Sequence, residues 1–418
     1  MNSSPRLHYS WVVLGMGVLV VFGSLGLARF GYSMILPEMK EGLGIGSTGA
    51  GVLAASGLLG YLALSIIGGV IASRIGARIV IAVGLLATGV GMILTGFANG
   101  LLMAVSCQLL AGMGSGASNV PVMGLLASWF APKKLGLASG VAVTGSSLGL
   151  IFVGSIVPPI LGANDEDGWR TAWVLFGGIT ILLAVMAMIL LRNNPAEKGL
   201  KPVGDNDGNS EIVTRAKGLH WGKVYRSAAV WHLGLVYIAF GMSYIIFMTF
   251  FKDHLTSEGG YTDESAGNLF MLIGCVSLLC GVIWGTVSDH IGRKRALVIV
   301  YLIHTIAFSI FALWLETAGF ILAAVLFGLS AWSIPAIMTA ACGDLLGPRL
   351  APAALGFITL FFGIGQVIGP SVAGVMADAA DTHSPAFLFA AGVAFLGAIG
   401  ALRLRPTTKV PINPHVDT

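Results

Sequence analysis

The sequence predicts an all-α membrane protein of twelve transmembrane helices, arranged as two pseudo-symmetric six-helix bundles. Three observations predict it. The chain of 418 residues is 56% hydrophobic and only 10% charged, whereas soluble domains carry about a quarter charged residues. Its apolar runs are long enough to span a bilayer, which takes about 20 residues of helix. The third is an internal repeat, described below.

Twelve runs qualify: 10–36, 48–72, 78–98, 101–129, 135–161, 170–191, 228–251, 264–288, 295–315, 319–346, 352–377 and 385–403. Each must be helical, because no water in the hydrocarbon core satisfies backbone N–H and C=O groups. The first run is too long for the apolar core of a cleavable signal and is read as a spanning helix. The one long polar stretch, 192–227, contains Asn193-Asn194-Pro195 and a Gly/Asp/Asn segment at 204–209. It is read as a linker between an N-terminal bundle, 1–191, and a C-terminal bundle, 228–418.

The charges set an orientation. Of 23 Lys and Arg, 19 fall in the termini, the linker and the loops on the same side; only Lys40, Arg170 and Lys252 fall opposite, and Arg29 lies within a helix. Basic loops stay inside, so both termini are expected in the cytoplasm of a bacterial cell, with the chain multi-pass in the inner membrane. The acids lean the other way, with Asp165-Glu166-Asp167 and Asp263-Glu264 outside and none expected in the core of a helix. The net charge of +4 is thus a topology signal, and no nucleic-acid partner is expected. Cys107, Cys275, Cys280 and Cys342 all fall in apolar runs without paired spacing and read as small buried hydrophobes.

Six positions repeat at a constant offset of 216 residues: Gly69 with Gly285, Gly76 with Gly292, Gly112 with Gly328, Pro132 with Pro348, Gly140 with Gly356, and Gly149 with Gly365. A duplicated six-helix unit is the plan of carriers that rock around a site near the bilayer midplane.

Two loops carry matching motifs. One reads Gly69-Val-Ile-Ala-Ser73-Arg74-Ile-Gly76-Ala-Arg78; its counterpart reads Gly285-Thr-Val-Ser-Asp289-His290-Ile-Gly292-Arg293-Lys294-Arg295. Both resemble the GxxxD(R/K)xGxRR signature of the major facilitator superfamily. That resemblance implies a secondary transporter, and a gating latch formed when the cytoplasmic side closes. Ser73, Arg74, Arg78, Asp289, Arg293 and Lys294 are its candidates. An Asp at a helix end accepts hydrogen bonds from a neighbouring helix N-terminus, where the dipole favours negative charge. Ser73 carries no charge, so the first latch is expected to be weaker.

Helix four contains Gln108-Leu-Leu-Ala-Gly112-Met-Gly114-Ser-Gly116, which resembles the superfamily's RxxxGxGxG motif with Gln108 in place of Arg. Helix eleven contains Gly365-Gln366-Val-Ile-Gly369-Pro370, similar to a glycine–proline motif common in exporters and also a generic small-residue packing surface. Leu27-Ala28-Arg29-Phe30-Gly31-Tyr32 and Phe240-Gly241-Met242-Ser243-Tyr244 look closest to bacterial YbfB/YjiJ-type carriers, and more distantly to monocarboxylate and oxalate–formate carriers.

Arg29 is the sharpest polar feature. A cation inside a span costs on the order of 3 kcal/mol by insertion scales and usually faces a cavity or a partner. No acid within a span is available to pair with it. The superfamily resemblance implies a cavity lined by helices one, four, seven and ten. Carried onto this chain, it adds Tyr32, Gln108, Asn119, Tyr237, Tyr244, Trp332 and Ser333 as substrate-binding candidates, with Gln366 on helix eleven a further one. Asn119 precedes Pro121 and is an alternative partner for backbone freed by that proline. His304 in helix nine reads as a buried structural histidine. Lys252-Asp253-His254 reads as an interfacial cluster, or as an external gate.

A cavity with one cation and no carboxylate favours an anion or neutral solute. The expectation is a carrier of a small organic anion such as a monocarboxylate, with a coupled proton or counter-anion, working as a monomer in the lipid bilayer. The alternative is an exporter of hydrophobic compounds or drugs. No spacing suggests a metal site, a cofactor or an enzyme's nucleophile and base.

Overall fold

The computed structural model describes residues 8–163, 167–204 and 224–404. Arg6, Asp165, Glu166, Arg215, Lys217, Lys223, Arg405, Lys409 and most of the 192–227 stretch lie outside the described residues, as do the side chains of Lys133 and Arg349. Among the described residues, twelve helices are long and apolar enough to span a membrane. They are α1 (Tyr9–Leu43), α2 (Ser47–Ile75), α3 (Ala77–Gly96), α4 (Leu101–Trp129), α5 (Pro132–Ala163) and α6 (Gly168–Leu190). Then come α7 (Ala228–Thr249), α8 (Asp263–Ile291), α9 (Arg293–Leu313), α10 (Thr317–Gly347), α11 (Ala353–Ala380) and α12 (Ser384–Leu402). Their outward faces are apolar: Leu59, Ile66, Val83, Leu182, Leu235 and Leu396 are all exposed, as lipid-facing side chains are.

The repeat has a backbone signature. α2 ends and α3 begins at Gly76, with φ +97° and ψ 138°; α8 ends and α9 begins at Gly292, with φ +88° and ψ 151°. That region of backbone space is essentially closed to residues with a Cβ. The same glycine therefore makes the same turn 216 residues apart.

Three expectations are corrected. The first helix runs to Leu43 rather than ending near residue 36, because Pro37 is accommodated inside it. Glu38 and Lys40 on the extra turns are tied into ion pairs, so an acid does lie within a spanning helix. The stretch Phe22–Phe30 of α1 is π-helical, a wider turn that the apolar pattern does not encode. Cys275 is exposed, whereas Cys107, Cys280 and Cys342 are buried. His304 is fully buried and packs among Phe240, Phe308 and Phe327.

The first six helices meet the last six along two seams, α2 against α11 and α5 against α8. Glycines set the distance. A Cβ on Gly51 would strike the Pro370 carbonyl, one on Gly374 the Ser47 carbonyl, and one on Gly154 would lie 2.5 Å from the Gly267 carbonyl oxygen. Small residues let helices approach this closely without lipid between them.

These contacts lie from the middle of the bundle to the end away from the linker, here called the far end. Toward the linker end, Gly136 and Gly140 of α5, Gly281 and Gly285 of α8 and Gly356 of α11 have no described atom within 4 Å of where a Cβ would sit. The two sets of helices are closed together at the far end and part toward the linker end.

Polar contacts secure the far end. Asp378 of α11 accepts from the Ser47 and Thr48 backbone N–H groups at 2.8 and 2.7 Å, which caps the α2 N-terminus across the seam. A short helix, Phe251–Ser257, extends α7 and carries Lys252 and Asp253. Lys40 of α1 pairs with Asp253 at 2.7 Å, and Lys252 pairs with Glu38 at 2.5 Å and with Asp263 at 2.9 Å. The Lys252-Asp253-His254 cluster is thus buried, and Lys252 and Asp253 pair with the first six helices.

Gly374→Val tests the seam. Overpacking costs about 1–3 kcal/mol, and here it pushes α2 from α11. The expected outcome is a longer distance between spin labels at Glu41 and Asp381; an unchanged distance would show that the seam has slack for a side chain.

Candidate functional site

Arg29 sits at the end of the π-helical stretch of α1. π-Helical turns are rare and tend to mark functional positions. Here the stretch passes Gly149 of α5 so closely that a Cβ on Gly26 would lie 2.7 Å from the Gly149 Cα. Arg29 is thereby delivered to the middle of the bundle, facing the last six helices.

Its partners are neutral. Arg29 Nη1 donates to Tyr244 Oη of α7 at 2.9 Å, and Gln366 Nε2 of α11 donates to the same oxygen. The guanidinium carbon lies 4.9 Å from the centre of the Tyr61 ring on α2, a cation–π contact. Asn119 Nδ2 of α4 donates to Tyr61 Oη at 2.9 Å and holds that ring in place.

Donor capacity is left over. Arg29 Nη2, Gln108 Nε2 and Ser24 Oγ are buried without hydrogen-bond partners. All three residues line one cavity of about 50 Å³, with Tyr32, Tyr61 and Ser115 among the other polar residues on its wall. No Asp or Glu is among the described lining residues. A buried N–H left unpaired costs about 1–3 kcal/mol, more when the group is charged. Arg29 offers only N–H groups, and the buried unpaired atom of Gln108 is its Nε2, so an acceptor complements these two donors. A carboxylate or sulfonate fits, because a guanidinium can grip two oxygens of such a group.

The structure sorts the residues singled out from sequence. Arg29, Tyr32 and Gln108 line the cavity, and Tyr244 and Gln366 reach it through the shared hydrogen bond. Tyr32 Oη also donates to the Ala50 carbonyl at 2.6 Å, which fixes α1 to α2. Asn119 serves Tyr61, not backbone freed by Pro121. Tyr237 is stacked on Phe240 and Phe362 and does not line the cavity. Trp332 packs on Phe30 and donates to Ser147 Oγ at 3.2 Å; Ser333 donates to the Ser330 carbonyl at 2.6 Å.

The cavity wall is therefore α1, α2, α4 and α7, not α1, α4, α7 and α10. α10 meets the site through the Trp332 ring, which is turned toward Phe30 and Tyr244. Sequence reasoning missed Tyr61, Ser24 and Ser115. Tyr61 had a signal, a phenol in the middle of an apolar helix beside Gly60.

Among the described residues, the latch candidates make no bond between the two sets of helices in this conformation. Ser73 donates to the Val70 carbonyl of its own helix, and Arg74 is exposed. Arg78 donates through Nε to the Met188 carbonyl at 2.7 Å. Asp289 pairs with Arg293 at 2.6 Å instead of capping a neighbouring helix, and Arg293 also holds Asp344 at 3.1 Å. Lys294 and Arg293 line a larger cavity of about 300 Å³ at the linker end, remote from Arg29. With the linker end parted, neither motif reaches the other set of helices among the described residues.

Comparison with known proteins places this geometry. Residues 21–402 match a family model described as the uncharacterised MFS-type transporter YbfB. A probable sulfoacetate transporter of Cupriavidus necator is 24% identical over 97% of this chain and 96% of its own length. The hexuronate transporter of Bacillus subtilis is 25% identical over 94% of each chain. Monocarboxylate transporter 11 of Mus musculus is 26% identical over 92% of this chain and 85% of its own. Among solved structures, a bacterial homologue of the human lysosomal transporter Spinster, inward-facing and unoccupied, superposes with a TM-score of 0.74 at 16% identity, covering 97% of this chain and 99% of that one. The nucleoside transporter NupG superposes with a TM-score of 0.73 at 13% identity, covering 94% and 99%.

Proposed function

The chain belongs to the YbfB-type family of major facilitator transporters, and we propose that it carries a small organic anion, of the carboxylate or sulfonate class, by alternating access. One observation carries the reading: the unpartnered Arg29 Nη2 and Gln108 Nε2 face one cavity whose described lining holds no carboxylate. The names of its relatives agree, since sulfoacetate, hexuronates and monocarboxylates are all small organic anions.

In the proposed cycle, residues 1–191 and 228–418 rock about the midplane, with 192–227 as their cytoplasmic connection. The positive-inside bias makes the linker end cytoplasmic and the far end periplasmic, so the conformation is inward-facing. An anion bound between Arg29 on α1 and Tyr244 on α7 touches both sets of helices, so its binding energy acts on their closure. Closing the cytoplasmic end would bring Ser73 and Asp289 with their basic neighbours into latch contacts. Asp289 has a charge to contribute and Ser73 has none.

The test is uptake into proteoliposomes by the purified protein, using labelled monocarboxylates, sulfoacetate and uronates, with and without a pH gradient. Saturable uptake of at least one anion, competed by others of its class, is the expected result. Movement of neutral or cationic solutes with none of these anions would overturn the reading.

A further inference from the structure

A second constellation lies at the far end and is used by nothing above. Three side chains separated in sequence converge there: His254 and Glu258, one helical turn apart on the extension of α7, and His383 in the turn before α12. One ligand atom from each lies within 4.8 Å of the other two. His254 is fully buried and Glu258 and His383 are largely so.

The contacts have a definite pattern. Glu258 Oε1 is 3.1 Å from His254 Nδ1 and 3.2 Å from His383 Nδ1. The opposite nitrogen of each ring lies beside an oxygen. His254 Nε2 faces the Phe311 carbonyl at 2.9 Å, and a carbonyl only accepts, so this nitrogen carries the proton. His383 Nε2 lies 3.0 Å from Asp253 Oδ2. His254 is held through Nε2 by a carbonyl, whereas His383 bonds Glu258 Oε1 through Nδ1 and sets its Nε2 beside Asp253 without a hydrogen bond; one nitrogen of each ring faces the same carboxylate oxygen. Outer partners of this kind orient the histidines that ligate metals. Moreover, His254 Nδ1 is buried without a hydrogen bond, despite its closeness to Oε1. A cation between them would bridge this nitrogen and the carboxylate oxygen.

We propose that His254 Nδ1, His383 Nδ1 and Glu258 Oε1 form a binding site for a divalent transition-metal ion of the zinc class. Two imidazoles and one carboxylate are a donor set that suits Zn²⁺, with the remaining position open to water. Glu258 is prepared for the role. Burial raises its pKa, but the close contacts with His254 and His383 and the hydrogen bond from Thr382 outweigh that and hold it well below the usual carboxylate range. Burial disfavours the charged form of His383, yet its contacts with Asp253 and Glu258 raise its pKa overall.

The location gives the site a consequence. It fastens the α7 extension to the turn before α12. Through Asp253, which pairs with both His383 and Lys40, it reaches α1 in the first six helices. A bound ion holds Asp253 in place for Lys40 and stabilises the closed far end.

The test needs no substrate. ZnCl₂ is titrated into the purified full chain, carrying a tag without histidine, by isothermal calorimetry in detergent. The expected result is one ion per chain, with affinity at least about tenfold weaker in His254→Gln and in His383→Gln, and unchanged in His290→Gln, which lies outside the cluster. Equal affinity in all four proteins, or no binding, overturns the proposal. Because Glu258 also caps α12, a variant at the cluster risks misfolding. Co²⁺ added to the unaltered protein gives an independent reading. Intense visible bands of a low-coordinate Co²⁺ centre support the site, and a weak six-coordinate spectrum overturns it.

Discussion

Arg29→Gln is expected to weaken binding of the transported anion at least about 30-fold, equivalent to roughly 2 kcal/mol. The reason is positional. Arg29 is the only cation among the described residues of the cavity wall, and the anion has no other charged partner there. Losing a buried charge-assisted pair costs more than losing a neutral hydrogen bond, because the remaining partner stays desolvated. Arg29→Lys keeps the charge but loses the planar fork, so an intermediate loss is expected. Binding is read by calorimetry on the detergent-purified protein, with a melting curve to show that the variant is folded. A folded Arg29→Gln protein with wild-type affinity would show that the cation serves Tyr244 and Tyr61 alone.

Lys252→Met is expected to open the far end. Lys252 is fully buried and its ammonium is shared by Glu38 and Asp263. Removing it leaves two carboxylates facing each other with no cation between them. Breaking a buried pair costs about 3–5 kcal/mol. Both acids are partly exposed, so screening reduces the effect to about 2 kcal/mol. That is still roughly a 30-fold shift in the balance between a closed and an open far end. Spin labels at Glu41 and Glu264, both exposed, are expected to report a longer distance in Lys252→Met than in the parent protein, with Lys252→Arg close to the parent. Identical distance distributions in all three would show that the seam glycines alone keep this end shut.

The legible parts of this protein were those that depend on local composition. A bilayer accepts only helices or closed barrels, so twelve long apolar runs dictate twelve helices. The glycines at 76 and 292 were legible as a repeat, because a backbone region closed to other residues leaves a mark in any register. Arg29 was legible because a lone cation in a span is costly. Tyr61 was not separable by sequence from a tyrosine that merely packs, and Tyr237 on α7 and Ser333 on α10 were named on a family resemblance that did not anticipate which way their side chains pack. Pro37 misled at the end of α1, because its effect depends on what ties down the turns beyond it. Those ties are ion pairs to Lys252 and Asp253, more than 200 residues away.

By itself, the sequence determined the spans, the duplicated plan, a charge bias along the loops and the presence of one intramembrane cation. These follow from transfer energies and backbone sterics, which act on each residue where it stands. Tertiary structure alone decided which polar groups share a cavity, that Gln366 and Arg29 meet on one Tyr244 oxygen, and that His254, Glu258 and His383 converge. It also decided which end of the bundle is shut. Such facts depend on how two sets of helices pack against each other, and the same apolar faces serve a bundle closed at either end.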